Sequence, residues 1–262
     1  MLCQQRRAKG ETTTDHVLFG ERTSTPLLLG HRGARPLPCL GLRWRKPGFP
    51  VENTLAAFDY AMANGCDGFE FDVRYTRDRR SVLSHDPKLN RKEVALAEYA
   101  GLERRSGYNL ACLEDVLKRF HDTAYLDIEL KVAGNEESLV AALRANPPQR
   151  GYMVSSFLAG VLLRLRELDP SLQLGYLCEH QEDVQRWREL PSTAVAPQYS
   201  LVSRRLVDEV HARGMKLFTW TVNHERDLVR LAAWGVDGLI SDDPQLLART
   251  FLRQQRTPSP HD

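Results

Sequence analysis

Four acidic side chains and two histidines are the residues here whose types and spacing could do chemistry. Side chains alternate faces along a strand. In "GFEFDV", Glu70 and Asp72 therefore share one face while Phe69, Phe71 and Val73 share the other. In "YLDIELK", Asp127, Glu129 and Lys131 fall together, opposite Ile128 and Leu130. A carboxylate cluster at one mouth repels itself unless something positive sits in it, and hard cations such as Ca²⁺ and Mg²⁺ prefer oxygen ligands. The same acids could instead form ordinary ion pairs with Lys131 and nearby arginines, and spacing alone leaves both readings open. His31 in "LGHRG" and His85 in "LSHDP" favour the metal site. Paired imidazoles beside it suit proton transfer near neutral pH. Arg32 could grip a phosphate with its two-pronged guanidinium, or pair at the rim with Glu52 or Asp86. Histidine pair, divalent metal, arginine and lysine together point to phosphoester chemistry. His16, His121, His180, His211, His224 and His261 fall in helix, loop or tail contexts and read as surface groups.

These groups need a scaffold that brings strand ends together. Apolar runs at Leu27–Gly30, Gly68–Val73, Tyr125–Leu130, Tyr152–Ser155, Leu174–Leu177, Ala194–Ala196, Lys216–Trp220 and Gly238–Ser241 read as strands. Helix-period segments follow most of them: Leu55–Asn64, Glu137–Ala145, Ala159–Leu168, Glu182–Leu190, Ser203–Arg213, Glu225–Trp234 and Pro244–Phe251. Such alternation predicts a parallel α/β sheet, and the number and size match a TIM-type (β/α)8 barrel. A doubly wound sheet is the alternative, but no glycine-rich dinucleotide turn follows the first strand. Ser81–Ser84 lies too close behind the second strand for a helical crossover and predicts a hairpin arm. An internal echo, "ANGCDGFEFD" against "AWGVDGLISD", predicts one helix-to-strand joint used twice, with Gly65 and Gly235 as left-handed caps.

The 262 residues carry a net charge of +2, with 42% hydrophobic and 27% charged residues. No nucleic-acid partner is expected, and no apolar run approaches the ~20 residues of a membrane span. Five scattered cysteines, Cys3, Cys39, Cys66, Cys112 and Cys178, argue for a reducing compartment; a cytoplasmic location is expected. Residues 1–25 and 253–262 read as disordered tails around one domain at 26–252, and the N-terminus lacks the apolar core of a secretory signal.

The ordered set "HRG" (His31–Gly33), "ENTLAAF" (Glu52–Phe58), "GFEFDVRYTRD" (Gly68–Asp78), "VLSHD" (Val82–Asp86), "DIELK" (Asp127–Lys131), "SSF" (Ser155–Phe157), "FTWTVN" (Phe218–Asn223) and "GVDGLISDDP" (Gly235–Pro244) resembles the glycerophosphodiester phosphodiesterase family. The resemblance implies a phospholipase-C-like TIM barrel. It implies Glu70, Asp72 and Glu129 as metal ligands, His31 and His85 as the catalytic pair, and one divalent cation, Ca²⁺ or Mg²⁺. Arg32, Glu52 and Lys131 would line the phosphate and metal site, and Trp220 and Asn223 would shape the substrate pocket. The implied reaction cleaves a small-molecule glycerophosphodiester to sn-glycerol 3-phosphate and an alcohol, the glycerol 2-hydroxyl attacking first to give a cyclic phosphate that water opens.

The sequence departs from the family pattern at three places. Val51 replaces a usual proline. Arg79 stands where glycine is common, so a different hairpin turn is expected. Ala34–Val51 is an insertion in the first βα loop, stiffened by Pro36, Pro38, Pro47 and Pro50. It reads as a solvated loop or as a flap whose Arg43, Trp44, Arg45, Lys46 and Phe49 meet a lipid surface. The flap reading would favour lysolipid diesters, a lysophospholipase D-like activity. A catalytically silent barrel that binds phosphorylated ligands is the alternative from another class, and the presence of both histidines and all three metal carboxylates argues against it.

Overall fold

The computed structural model describes residues 25–36 and 48–251. Its strands are β1 (Leu27–Gly30), β2 (Gly68–Tyr75), β3 (Ser81–Leu83), β4 (Lys88–Leu89), β5 (Lys92–Glu93), β6 (Tyr125–Leu130), β7 (Tyr152–Ser156), β8 (Leu174–Cys178), β9 (Ala194–Pro197), β10 (Lys216–Thr219) and β11 (Gly238–Ser241). Eight of them run parallel in the ring β1-β11-β10-β9-β8-β7-β6-β2, and β1–β2 pairing closes it. The helices are α1 (Leu55–Ala63), α2 (Tyr99–Ser106), α3 (Leu113–Phe120), α4 (Glu136–Ala145), α5 (Ala159–Leu168), α6 (Arg204–His211), α7 (Glu225–Ala233) and α8 (Pro244–Thr250). The architecture is the expected TIM barrel. Barrel strands are covered on both faces, so they read as near-continuous apolar runs.

Alternation sorts the side chains. Phe69, Phe71, Leu126 and Ile128 point outward into the layer between barrel and helices, where Phe58 of α1 stacks on Phe69 at 4.2 Å. Leu29, Tyr125, Met153, Leu177, Phe218 and Ile240 fill the lumen. Tyr125 and Phe218 stack there at 5.8 Å. The site's polar groups sit on this packed plug at the C-terminal ends of the strands, as the fold requires.

The repeated joint is one device used twice. The Asp67 carboxylate accepts from Leu28 N at 2.9 Å, and the Asp237 carboxylate accepts from Leu217 N at 2.8 Å. Gly65 and Gly235 both take positive φ, 89° and 86°. Each aspartate thus clips the strand it precedes to its parallel neighbour. His211, read as a surface group, belongs to the second clip: its Nε2 lies 2.8 Å from Asp237 Oδ2. His16 and His261 lie outside the described residues.

Other expectations change. Asp183–Glu189 is 3₁₀ rather than α-helical. Val184, Trp187 and Leu190 recur every third residue, the period of that tighter helix. Helices α2 and α3, not expected from the sequence, fill the path from β5 to β6. The turn at Arg79 keeps a glycine-like conformation, because Arg79 itself adopts φ 58°. After it, β3 pairs antiparallel with β2 through Val73↔Leu83 and Tyr75↔Ser81. Of the inserted loop, residues 37–47, with Arg43, Trp44, Arg45 and Lys46, lie outside the described residues. Phe49 packs on Tyr60 of α1 with ring centroids 5.3 Å apart, so it is seated on the barrel.

Candidate active site

The two borders of the inserted loop meet in one place. After β1 the chain turns sharply: Arg32 has φ 50° and Gly33 φ 78°. A Cβ on Gly33 would lie 2.6 Å from the Ala57 backbone, so only glycine permits this approach to α1. Arg32 N then donates to Glu70 Oε2 at 2.9 Å. Each residue of "ENT" has a separate task. Glu52 accepts from Arg32 Nη1 at 2.8 Å and from Arg35 Nε at 2.6 Å. Asn53 donates to Asp72 Oδ2 at 2.8 Å and accepts from Asp72 N at 3.1 Å. Thr54 caps α1 by accepting from Ala57 N. Glu52 therefore holds arginines and does not line the cavity, whereas Arg32 and Lys131 do.

Glu70, Asp72 and Glu129 come from the adjacent strands β2 and β6, where Asp72 pairs directly with Glu129. One oxygen from each lies within 4.8 Å of the others, and all three residues are buried. Lys131 Nζ sits 2.6 Å from Glu129 Oε1 and 3.3 Å from Asp72 Oδ1; Arg32 Nε is 3.1 Å from Asp72 Oδ2. Burial raises the Asp72 pKa, but Arg32 and Lys131 outweigh it and hold this carboxyl low. Burial and the neighbouring Asp72 charge push Glu70 well above the carboxylate range and Glu129 up to about 7. Below them Asp127 is buried and pushed up to about 7 by desolvation, with Ser155 donating to its Oδ1 at 2.6 Å. Its Oδ2 has no partner, and neither Asp72 Oδ1 nor Arg32 Nε makes an aligned hydrogen bond. Four carboxyls thus face two protein cations. An all-oxygen donor set with surplus negative charge fits a hard divalent cation held by Glu70, Asp72 and Glu129.

The histidines flank this cluster. His31 Nδ1 lies 2.7 Å from Asp242 Oδ1, and its Nε2 lies 3.8 Å from Glu70 Oε2. Asp242 is held below the usual carboxylate range: burial raises it, and the bond from His31 and the charges of His31 and Arg35 overcome that. An ionised Asp242 only accepts, so Nδ1 carries the proton and Nε2 is left facing Glu70. Asp242 Oδ2 accepts from Asn223 Nδ2 at 2.7 Å, while Asn223 Oδ1 accepts from Ser241 Oγ and Asp242 N, both at 2.9 Å. Asn223 therefore holds Asp242. On the other side, His85 Nδ1 lies 2.9 Å from Asp86 Oδ1, and Arg74 donates twice to the His85 carbonyl, at 3.0 and 2.7 Å. Burial lowers the His85 pKa more than Asp86 raises it, so the ring keeps its neutral form into weak acid.

Asp242, Asn53 and Arg74 received no role from the sequence. Alternation along β11 could have found the first: Ile240 faces the lumen, so Asp242 does too, at the strand's C-terminal end. The cavity above the cluster is about 230 Å³ and is walled by both histidines, Arg32, Lys131, Ser155, Phe157, Leu177, Glu179, Trp220 and Ile240. Trp220 shapes it, with its Nε1 fixed to Ala196 O at 2.8 Å.

Residues 31–246 match the glycerophosphoryl diester phosphodiesterase family model. The chain belongs to this family. Glycerophosphodiester phosphodiesterases of Caldanaerobacter subterraneus subsp. tengcongensis and Bacillus subtilis are similar, at 32% and 28% identity. The matches cover 75% and 84% of this chain and 90% and 84% of the relatives. An Oleispira antarctica phosphodiesterase, solved in complex with the product sn-glycerol-3-phosphate, shares the fold: TM-score 0.70 and 23% identity over 87% of this chain and 97% of that one. Family membership places the barrel among phosphodiesterases. Among the described residues no helix is long and apolar enough to cross a membrane.

Proposed function

We propose that this family member hydrolyses glycerophosphodiesters to sn-glycerol 3-phosphate and an alcohol, using one Ca²⁺ or Mg²⁺ and the His31–His85 pair. The observation that carries the reading is the buried Glu70–Asp72–Glu129 cluster, its oxygens within 4.8 Å of one another beside an imidazole nitrogen 3.8 Å from Glu70. A cation held there would neutralise a non-bridging phosphate oxygen and polarise phosphorus. Arg32 and Lys131 hold positive charge at the same mouth and orient the phosphate. His31 Nε2, aimed by Asp242, and His85, aimed by Asp86 and Arg74, exchange protons on the two sides of phosphorus. One takes the proton of the glycerol 2-hydroxyl as its oxygen attacks; the other protonates the departing alkoxide. Water then opens the cyclic phosphate with the roles reversed. A cytoplasmic setting goes with this reading, since Cys112 and Cys178 are buried free thiols.

The test is release of glycerol 3-phosphate from a panel of glycerophosphodiesters with each metal. Chelation should abolish turnover, and either Ca²⁺ or Mg²⁺ should restore it. His31→Ala and His85→Ala should each cost at least roughly 10²–10⁴-fold. Calorimetry should show a divalent-ion site that Glu129→Gln weakens. Full turnover in chelator would remove the metal from the mechanism.

A further inference from the structure

The cavity has two chemically different walls. One, from β1, β2 and β6, carries the carboxylates, Arg32 and Lys131. The other, from β7, β8, β10 and β11, is apolar, with Phe157, Leu177, Trp220 and Ile240. Glu179 is out of character on this second wall. Leu177 of β8 faces the lumen while Tyr176 and Cys178 pack toward the helices, so alternation brings Glu179 back over the cavity. The side chain is exposed there, and among the described residues no hydrogen bond or ion pair engages its carboxylate. Counted either way round the ring, β8 is four strands from β1, so Glu179 lies across the mouth from His31 and Arg32.

The protein's own cavity cations are already committed: Arg32 to Glu52 and Asp72, Lys131 to Glu129 and Asp72. Beside Glu179's wall, Phe157 and Trp220 meet edge to face at 5.6 Å and 90°. Lys131 Nζ lies over the Phe157 ring, 5.8 Å from its centroid, and among the described residues no side-chain cation lies over Trp220. An unpaired carboxylate and a fixed indole lining one cavity with an apolar wall are the chemistry that recognises an ammonium group.

We infer that Glu179 and Trp220 form a head-group subsite that selects glycerophosphodiesters whose alcohol bears a positively charged ammonium. The inference rests on the proposed glycerophosphodiesterase reading. The phosphate sits at the charged wall, beside Arg32, Lys131 and the carboxylate cluster, and the leaving alcohol extends across the mouth, where its charge meets Glu179. A carboxylate could equally hydrogen-bond the hydroxyls of the glycerol common to all these substrates, and the experiment separates the two.

Steady-state kcat/KM is measured with the full chain and its metal on glycerophosphocholine and on uncharged-head-group glycerophosphoglycerol. Variants are Glu179→Gln, Glu179→Lys and Glu179→Asp. The choline-to-glycerol preference should fall by up to about fivefold in E179Q, the scale of one exposed ammonium–carboxylate contact. It should fall further in E179K and be retained in E179D. Equal losses on both substrates would mean that Glu179 holds the shared glycerol, and an unchanged kcat/KM on each of them would mean it holds nothing; either overturns the subsite. A wild-type enzyme that cleaves neither substrate would refute the glycerophosphodiesterase reading itself, an outcome distinct from both.

Discussion

Replacing Asp242 with asparagine should disable His31 without disturbing the barrel. Asp242 accepts on both oxygens: His31 Nδ1 at 2.7 Å on Oδ1, Asn223 Nδ2 at 2.7 Å on Oδ2. Asparagine has one acceptor oxygen, so in either orientation its amide N–H meets another N–H. Asn223 cannot flip to relieve the conflict, because its Oδ1 already accepts from Ser241 Oγ and Asp242 N. The variant loses one charge-assisted hydrogen bond, worth ~1.5–3 kcal/mol, which corresponds to a rate loss of roughly 10- to 150-fold. If the new amide faces His31, the proton moves to Nε2 and the working nitrogen becomes a donor; in serine hydrolases a wrong imidazole tautomer costs about 10⁴. We therefore expect kcat for glycerol 3-phosphate release to fall by about 10² or more, with the melting temperature shifted by only a few degrees. The swap Asp242→Asn with Asn223→Asp restores one acceptor for each donor and should recover part of the loss. Activity of the single variant within twofold of wild type would show that Asp242 does not aim His31.

Three further substitutions test the site and its packing. Asp86→Asn removes the larger of the two influences that raise the His85 pKa; the Asp72 charge still raises it, against burial and the Arg32 and Lys131 charges, which lower it. His85 should then keep its neutral form to lower pH, and the acid limb of the kcat/KM profile should move down; an upward move contradicts the sign. Gly68→Ala would place a Cβ 1.8 Å from the Tyr125 carbonyl oxygen in neighbouring β6, whereas nothing lies within 4 Å of a Cβ on Gly101 in α2. Urea unfolding should show the first destabilised by about 3 kcal/mol or more and the second stabilised by up to about 1 kcal/mol; equal midpoints would contradict the packing.

The barrel was legible because its strands are buried on both faces and stand out as apolar runs between helical periods. The carboxylate cluster was legible because alternation alone brings Glu70, Asp72 and Glu129 to one side. What stayed hidden depends on contacts between distant segments. In "SDDP" one aspartate caps α8 by accepting from Leu246 N, while its neighbour orients His31. The two look alike until β1 and β11 are known to be adjacent. Helix α3 was passed over although Leu113, Val116, Leu117 and Phe120 keep a helical period, because eight residues without a preceding barrel strand look like part of a loop. Residues 183–189 misled because Val184, Trp187 and Leu190 place apolar groups three apart, a spacing that α- and 3₁₀-helices both accommodate.

The bond between His31 and Asp242 joins groups 211 residues apart, and His31 N also donates to Ser241 O at 2.7 Å. A side chain at the end of β1 is thus set in place by β11, the most C-terminal strand among the described residues. A chain cut short before β11 would carry His85 with Asp86 and Arg74, yet leave His31 without Asp242 and the ring open. Closing the ring and aiming His31 are therefore one event.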